Sequence, residues 1–177
     1  GRSRFVGAYR GWVGAGGIRV GADRAVVAAE GGGVRVFDTA DAMAPREVAA
    51  FAPGWLAADV DVVGDTAYVA AGGSGMRIVD LAAAPAPREL GAYVPGDRVA
   101  RVRVSDGVAW LVVAEASGEE GDRLQSVDVT DPSAPIPAYG WIATQFTPSA
   151  ATTPRVSTIA SVPHSQPQVG QETVTPR

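Results

Sequence analysis

The sequence predicts an all-β fold, a partial β-propeller of about three four-stranded antiparallel blades. Three observations predict it. The 177-residue chain repeats itself at intervals of about 42 residues. Within each copy, apolar residues alternate with the two-residue period of a β-strand. Glycine-rich and proline-rich turns separate these short apolar runs. Four strands in about 42 residues is the size of one propeller blade.

The repeat is clearest where Val20–Ala29 aligns with Val62–Ala71. A third copy follows at the same spacing until six extra residues shift its second half, and we expect these residues to lengthen a surface hairpin. At the start of the chain, Phe5–Tyr9 matches Glu89–Tyr93 and predicts the end of a preceding blade. The predicted units are residues 1–15 for that fragment, then repeats at 16–57, 58–99 and 100–143, which together form one blade region over 1–143.

The second repeat illustrates the strands of a predicted blade. Val60–Val62 gives a short alternating first strand, and Ala67–Ala71 gives an apolar second strand. Gly72–Gly75 supplies a turn that accepts positive φ. Met76–Val79 forms the third strand, and a proline-rich connector leads to an outer strand that ends at Tyr93. Because a closed ring needs about four to eight blades, three blades and a fragment predict an open arc.

An aspartate follows the third strand of every repeat, at Asp38, Asp80 and Asp128. Its side chain can accept a hydrogen bond from the backbone two residues further on and so fix the turn. We therefore expect these three aspartates to be structural residues of the blade turns.

These motifs resemble a known family. Met76–Leu81, preceded by Gly64–Ala70 and followed by Ala86–Tyr93, is similar to the LVIVD repeat of bacterial and archaeal propeller-like proteins, many of them secreted or attached to the cell surface. The resemblance extends over about residues 5–142. It implies a propeller fold and an extracellular or cell-surface location, and it supplies no catalytic residue.

The segment 144–177 has a different composition. Thr, Ser, Pro and Gln account for 20 of its 34 residues. Such a segment cannot bury enough apolar surface to offset the entropy lost on ordering. We expect a disordered linker or tail, with an O-glycosylated stalk as the alternative.

Composition excludes several classes of function. The chain has a net charge of -4 and no cysteine, so disulfides, cysteine nucleophiles and thiolate metal sites are ruled out. Arginines and acidic residues are interspersed, which argues against a nucleic-acid partner. No apolar run approaches the roughly 20 residues of a membrane-spanning helix.

Candidate catalytic and ligand-binding motifs are weak. The single histidine, His164, lies in the predicted tail, which argues against a Ser-His-Asp arrangement. The glycines of 14–17 and 31–33 lack the spacing of a phosphate loop and predict hairpin turns. The acidic segment 115–122 could offer oxygen ligands to Ca²⁺, but its carboxylates lack the ordering of a calcium loop, which favours a solvated hairpin tip. We expect no catalytic residue, no cofactor and no metal.

Charged residues alternate with valine along the first strands of two repeats. Asp59 and Asp61 lie in one repeat, and Arg101 and Arg103 occupy the equivalent positions of the next. Opposite charges at equivalent positions predict ion pairs between neighbouring blades. The alternative is a carboxylate pair for glycoside hydrolysis.

These observations together predict a non-enzymatic binding or scaffold module that is exported and contacts an unidentified protein or surface ligand through its blade loops. Open blade faces also predict self-association. The alternative is that the blades belong to a larger enzyme, such as a hydrolase, whose catalytic residues lie outside this chain.

Overall fold

A computed structural model describes residues 14–83, 85–115 and 121–138. Within these ranges the chain forms twelve β-strands and no helix. The strands are β1 Ala15–Val20, β2 Arg24–Ala29, β3 Gly33–Asp38, β4 Arg46–Phe51, β5 Asp59–Val63, β6 Thr66–Ala70, β7 Met76–Asp80, β8 Arg88–Tyr93, β9 Arg98–Ser105, β10 Val108–Ala114, β11 Arg123–Asp128 and β12 Ile136–Pro137. The predicted blade fragment at the start of the chain and the predicted disordered tail lie outside the described residues.

The strands form three four-stranded sheets, each a simple meander in chain order. The first sheet holds β1 to β4, the second β5 to β8 and the third β9 to β12. Every neighbouring pair of strands is antiparallel. The structure thus confirms the predicted all-β class and its three four-stranded antiparallel sheets. In the part of the chain that the structure describes, no helix is long and apolar enough to cross a membrane.

One backbone hydrogen bond recurs in every sheet and shows that the sequence repeat is also a structural repeat. The residue that follows the third strand donates its N–H to a carbonyl of the hairpin between the first two strands. The bonds are Thr39 to Asp23, Leu81 to Asp65 and Val129 to Gly107, each 2.8 Å long. The six extra residues of the third repeat fall between β10 and β11 and leave this bond unchanged.

The second sheet packs between the other two, because its strands are apolar on both faces. Val60, Val69 and Val79 join Val26 and Val36 of the first sheet in one buried cluster. On the opposite face, four buried side chains of the second sheet join the apolar face of the third sheet in another cluster; they are Tyr68, Ala70, Met76 and Ile78. This burial is the main source of stability for both contacts between sheets.

Candidate functional site

The first strand of each sheet lies beside the first strand of its neighbour, since β5 contacts both β1 and β9. The charged residues predicted to pair between repeats lie on these strands. We call the contact between the first and second sheets the first junction, and the contact between the second and third sheets the second junction.

Asp59 binds the third sheet. Its carboxylate is almost fully buried, and Oδ2 accepts a hydrogen bond of 2.6 Å from Nη1 of Arg103. The same oxygen accepts the backbone N–H of Val102 at 3.2 Å. The structure therefore places Asp59 and Arg103, two of the four residues predicted for ion pairs, in direct contact.

Asp61 joins all three sheets. Its Oδ1 accepts hydrogen bonds from Nε of Arg19 at 2.6 Å and from the N–H of Val62 at 3.0 Å. Its Oδ2 accepts the N–H of Val104 at 2.7 Å. Burial alone would raise the pKa of this carboxyl, but the hydrogen bonds from Val104, Arg19 and Val62 outweigh burial and hold the pKa below its usual value of 3.8.

The pairing differs from the sequence expectation at two residues. Asp61 pairs with Arg19 of the first sheet and meets the third sheet through the backbone of Val104. Arg101 is exposed, donates to the carbonyl of Ala100 at 2.9 Å and forms no ion pair with a described residue. The carboxylates explain this, because Asp59 binds Arg103 and both oxygens of Asp61 are bound by Arg19, Val62 and Val104. Arg19 was missed, although it lies at the repeat position of Asp61.

The arrangement of the two carboxylates is structural. β9 is the edge strand of the third sheet, so backbone N–H groups on its outer edge need acceptors from outside the sheet. Asp59 and Asp61 supply those acceptors at Val102 and Val104. Each carboxylate also neutralises an arginine, which leaves little capacity for a reacting substrate.

The turn aspartates adopt the geometry that the sequence predicts. Asp38, Asp80 and Asp128 each accept the backbone N–H two residues further on, at 3.0, 2.9 and 2.9 Å. The N–H of Ala40 and the guanidinium of Arg46 lower the pKa of Asp38. The N–H and hydroxyl of Thr130 lower the pKa of Asp128, where the arginine is absent.

The turn predicted at residues 14–17 is wrong, because Gly16 and Gly17 lie in β1, where the lack of a side chain lets this strand approach β5. The turn predicted at residues 31–33 is present. Gly31 and Gly33 adopt positive φ in the hairpin between β2 and β3, as a tight turn requires. Part of the acidic hairpin, residues 116–120, lies outside the described residues. Within the described ranges, no group of three or more His, Cys, Asp or Glu side chains is placed to hold a metal ion.

The outer face of the third sheet is more exposed than the same face of the other two sheets. Trp110 is 41% exposed, whereas Tyr68 and Val26 at the equivalent positions are 5% and 2% exposed. Leu124 is 39% exposed, and its equivalent Met76 is fully buried. In the first and second sheets, the next sheet covers these positions.

The opposite end of the stack carries an apolar groove. Ile18 and Val20 of β1 are 53% and 68% exposed. The groove has a volume of about 340 Å³ and is lined by Ile18, Ala25, Val27, Phe37 and Pro45 among others. Four of these have repeat equivalents in the second sheet that pack against the first sheet; the equivalents are Val60, Ala67, Val69 and Val79.

Comparison with protein families identifies the repeat. Residues 56–94 match the LVIVD repeat. The match spans β5 to β8, so the LVIVD repeat of this chain coincides with its second sheet, and it confirms the resemblance found in the sequence. A search of curated proteins found no match to this chain.

Comparison with solved structures finds similar chains, two of which are designed proteins. The computationally designed Ika4 protein has 9% sequence identity and a TM-score of 0.53, over 76% of this chain and 78% of its own. The computationally designed Ika8 protein has 10% identity and a TM-score of 0.48, over 65% of this chain and 33% of its own. At 9% identity, the likeness to Ika4 concerns the fold alone.

Proposed function

We propose that this chain is a non-enzymatic assembly module of the β-propeller type, in which LVIVD-like sheets form an open arc and its two ends bind one another between copies. One observation carries the proposal. The outer face of the third sheet exposes Trp110 and Leu124 at the repeat positions that the first two sheets bury under a neighbouring sheet. A face built on that pattern fits another sheet of the same kind.

The partner that fits this face is the first sheet of a second copy. The groove beside Ile18 consists of the residues whose equivalents in the second and third sheets receive the preceding sheet. In this head-to-tail contact, Trp110 of one copy enters the groove of the other, as Tyr68 packs against the third sheet within the chain. Two copies joined at both ends would hold six sheets, a number found in closed propellers.

Pairing of two third sheets is less favourable. Arg101 and Arg103 lie on the outer face beside Val112 and Trp110. Because Asp59 neutralises Arg103, two such faces would bring together two Arg101 side chains that have no carboxylate partner among the described residues, and like charges in an interface oppose association. The apolar groove carries no such repulsion, so the head-to-tail contact is favoured.

A non-enzymatic role is supported by the hydrogen bonds of the candidate carboxylates. Asp59 and Asp61 bind arginines and backbone N–H groups of neighbouring sheets, as structural side chains do. We further propose that the module acts outside the cell, on the ground of its resemblance to LVIVD repeat proteins. Protease treatment of intact cells of the native host should then degrade it, and its full protection would contradict that location.

Complementation between blocked variants tests the assembly. Trp110→Glu blocks the outer face of the third sheet, and Ile18→Glu blocks the groove. Each variant alone should be a monomer by light scattering at tens of micromolar, while the wild type should be a dimer. A mixture of the two variants should form a heterodimer, because one intact groove then meets one intact outer face.

Val94→Glu is the matched control, since Val94 is 56% exposed and follows β8 of the second sheet, which belongs to neither surface. It should leave the wild-type dimer intact. A monomeric wild type would overturn the proposal. So would an Ile18→Glu variant that still dimerises alone, because that result indicates pairing of two third sheets. Circular dichroism checks that each variant is folded.

A further inference from the structure

The two junctions differ in the backbone hydrogen bonds of one turn, the turn between the second and third strands of the earlier sheet. At the second junction, Gly72 of the β6–β7 turn and Val99 of β9 exchange two backbone hydrogen bonds of 3.2 and 3.0 Å. This bridge holds the β6–β7 turn of the second sheet against β9, the first strand of the third sheet. The repeat places Glu30 and Ala57 at the equivalent positions of the first junction.

Glu30 and Ala57 form no such bridge in the described part of the chain. The backbone explains the difference. Gly72 has a φ of +59°, a backbone conformation that residues other than glycine seldom adopt. Glu30 does not have positive φ. The N–H of Glu30 instead donates to the carbonyl of Gly14 in its own sheet, at 3.2 Å.

A cleft of about 380 Å³ occupies this position, and its volume lies within the range of small-molecule sites. Trp55 lines it and is 8% exposed, yet the indole Nε1–H has no acceptor among the residues that the structure describes. Ala57 is fully buried, and Leu56 beside it is 64% exposed. A buried donor without an acceptor is uncommon in native structures and is consistent with a missing ligand.

Opposite charges border the cleft. Glu30 extends from the β2–β3 turn and Arg98 from the start of β9. Both side chains are exposed, and neither forms an ion pair with a residue that the structure describes. The cleft therefore has the Glu30 carboxylate and the Arg98 guanidinium at its border and an apolar wall that includes Leu56. It lacks the backbone bridge that the second junction has at this position.

We propose that this cleft binds a short peptide with free termini and an apolar side chain. The carbonyl oxygen of the peptide amide accepts a hydrogen bond from the indole Nε1–H of Trp55. The ammonium group faces the carboxylate of Glu30, the carboxylate faces the guanidinium of Arg98, and the apolar side chain packs on Trp55 and Leu56. This site is separate from the groove and the outer face that carry the assembly, so either proposal can fail alone.

Isothermal titration calorimetry with the unblocked dipeptide Leu-Leu tests the site. The wild-type chain should bind it saturably. Glu30→Gln and Arg98→Gln should each weaken binding about tenfold, since each removes a charged partner of one terminus. N-acetyl-Leu-Leu-amide, which lacks both charges, should bind more weakly than either single variant binds Leu-Leu. Arg46→Gln, an exposed arginine at the opposite end of its sheet, is the control and should bind like the wild type.

Two further variants act on the shape of the cleft. A Cβ at Gly73 would meet nothing within 4 Å, so Gly73→Leu should fill the cleft without strain and abolish binding. Glu30→Gly should permit the bridge to Ala57 and close the cleft. No saturable binding of Leu-Leu to the wild type would overturn the proposal. Equal binding of the blocked dipeptide, or unchanged binding by both Gly73→Leu and Glu30→Gln, would overturn it as well.

Discussion

The two junctions occupy the same repeat positions and hold their strands together by different means. At the first junction, glycines bring β1 against β5, and a Cβ on Gly16 would lie 2.0 Å from the carbonyl oxygen of Ala58. At the second junction the equivalent of Gly16 is Ala100, and the carboxylates of Asp59 and Asp61 bind the edge of β9. A repeat position thus specifies where a residue lies, while its side chain decides the kind of contact.

The strongest test of this comparison is Gly16→Ala. The added methyl group would collide with backbone atoms of Ala58. Because these atoms cannot change rotamer as a side chain can, β1 must move away from β5. We expect the free energy of unfolding to fall by about 3 kcal/mol, the upper part of the range for overpacked sites. Urea denaturation measures it.

The matched control for Gly16→Ala is Ala100→Gly at the second junction, which should cost about 1 kcal/mol or less through backbone entropy. If both substitutions cost the same, close backbone approach does not distinguish the junctions.

Asp59→Ala tests the second junction. It removes the acceptor of the backbone N–H of Val102, a fully buried residue, and breaks the ion pair with Arg103. We expect a loss of about 2 kcal/mol in urea denaturation, mainly from the unsatisfied N–H, because Arg103 is half exposed and can return to water. Asp59→Asn retains an acceptor oxygen and should lose less. If both variants lost the same free energy of unfolding, the oxygen that accepts the Val102 N–H would not be the stabilising group.

Two double-mutant cycles compare a shielded ion pair and an exposed one within the first junction. Arg19 and Asp61 have side-chain exposures of 30% and 12%, and those of Arg24 and Asp65 are 34% and 61%. Alanine cycles should give a coupling free energy of about 1 kcal/mol for the first pair and at most about 0.5 kcal/mol for the second. Stronger coupling in the exposed pair would show that burial does not govern these contacts.

The smallest expected effect concerns acid. Because the folded-state pKa of Asp61 lies below its unfolded value, the ionised carboxylate stabilises the fold above about pH 4, and this stabilisation is lost as pH falls through the folded-state pKa. Asp61→Asn should therefore be less stable than the wild type at pH 7 and should lose less stability between pH 5 and pH 3. Parallel stability profiles in denaturant titrations at several pH values would refute this.

The sequence was sufficient to predict the sheets because their order depends on local signals. Alternating valines, glycine turns and the aspartates after each third strand act within a single repeat, and the structure has them in that order. Contacts between repeats depend on which face each strand turns to its neighbour. Asp61 binds both Arg19 of the first sheet and the Val104 N–H of the third, and alignment of the repeats did not show that one carboxylate contacts both neighbours. Arg19 was therefore missed, and Arg101 was expected in an ion pair that it does not form.

The open cleft was also beyond the sequence pattern. The cleft lies beside Glu30, whose backbone conformation differs from that of its repeat equivalent Gly72. Alignment of the repeats displays the difference, but only the geometry of the bridge between Gly72 and Val99 shows what the glycine does.

The hydrogen bond between Val129 and Gly107 has a practical consequence. It is as long as its counterparts in the other sheets, although six additional residues precede it in the third repeat. The pairing of strands within the third sheet therefore does not depend on the length of the connection between β10 and β11. Additional residues in it do not change the position of the end of β11 relative to the β9–β10 turn. Since lengthening a connection costs little entropy, the connection between β10 and β11 is a suitable place to insert an epitope or a fluorescent reporter.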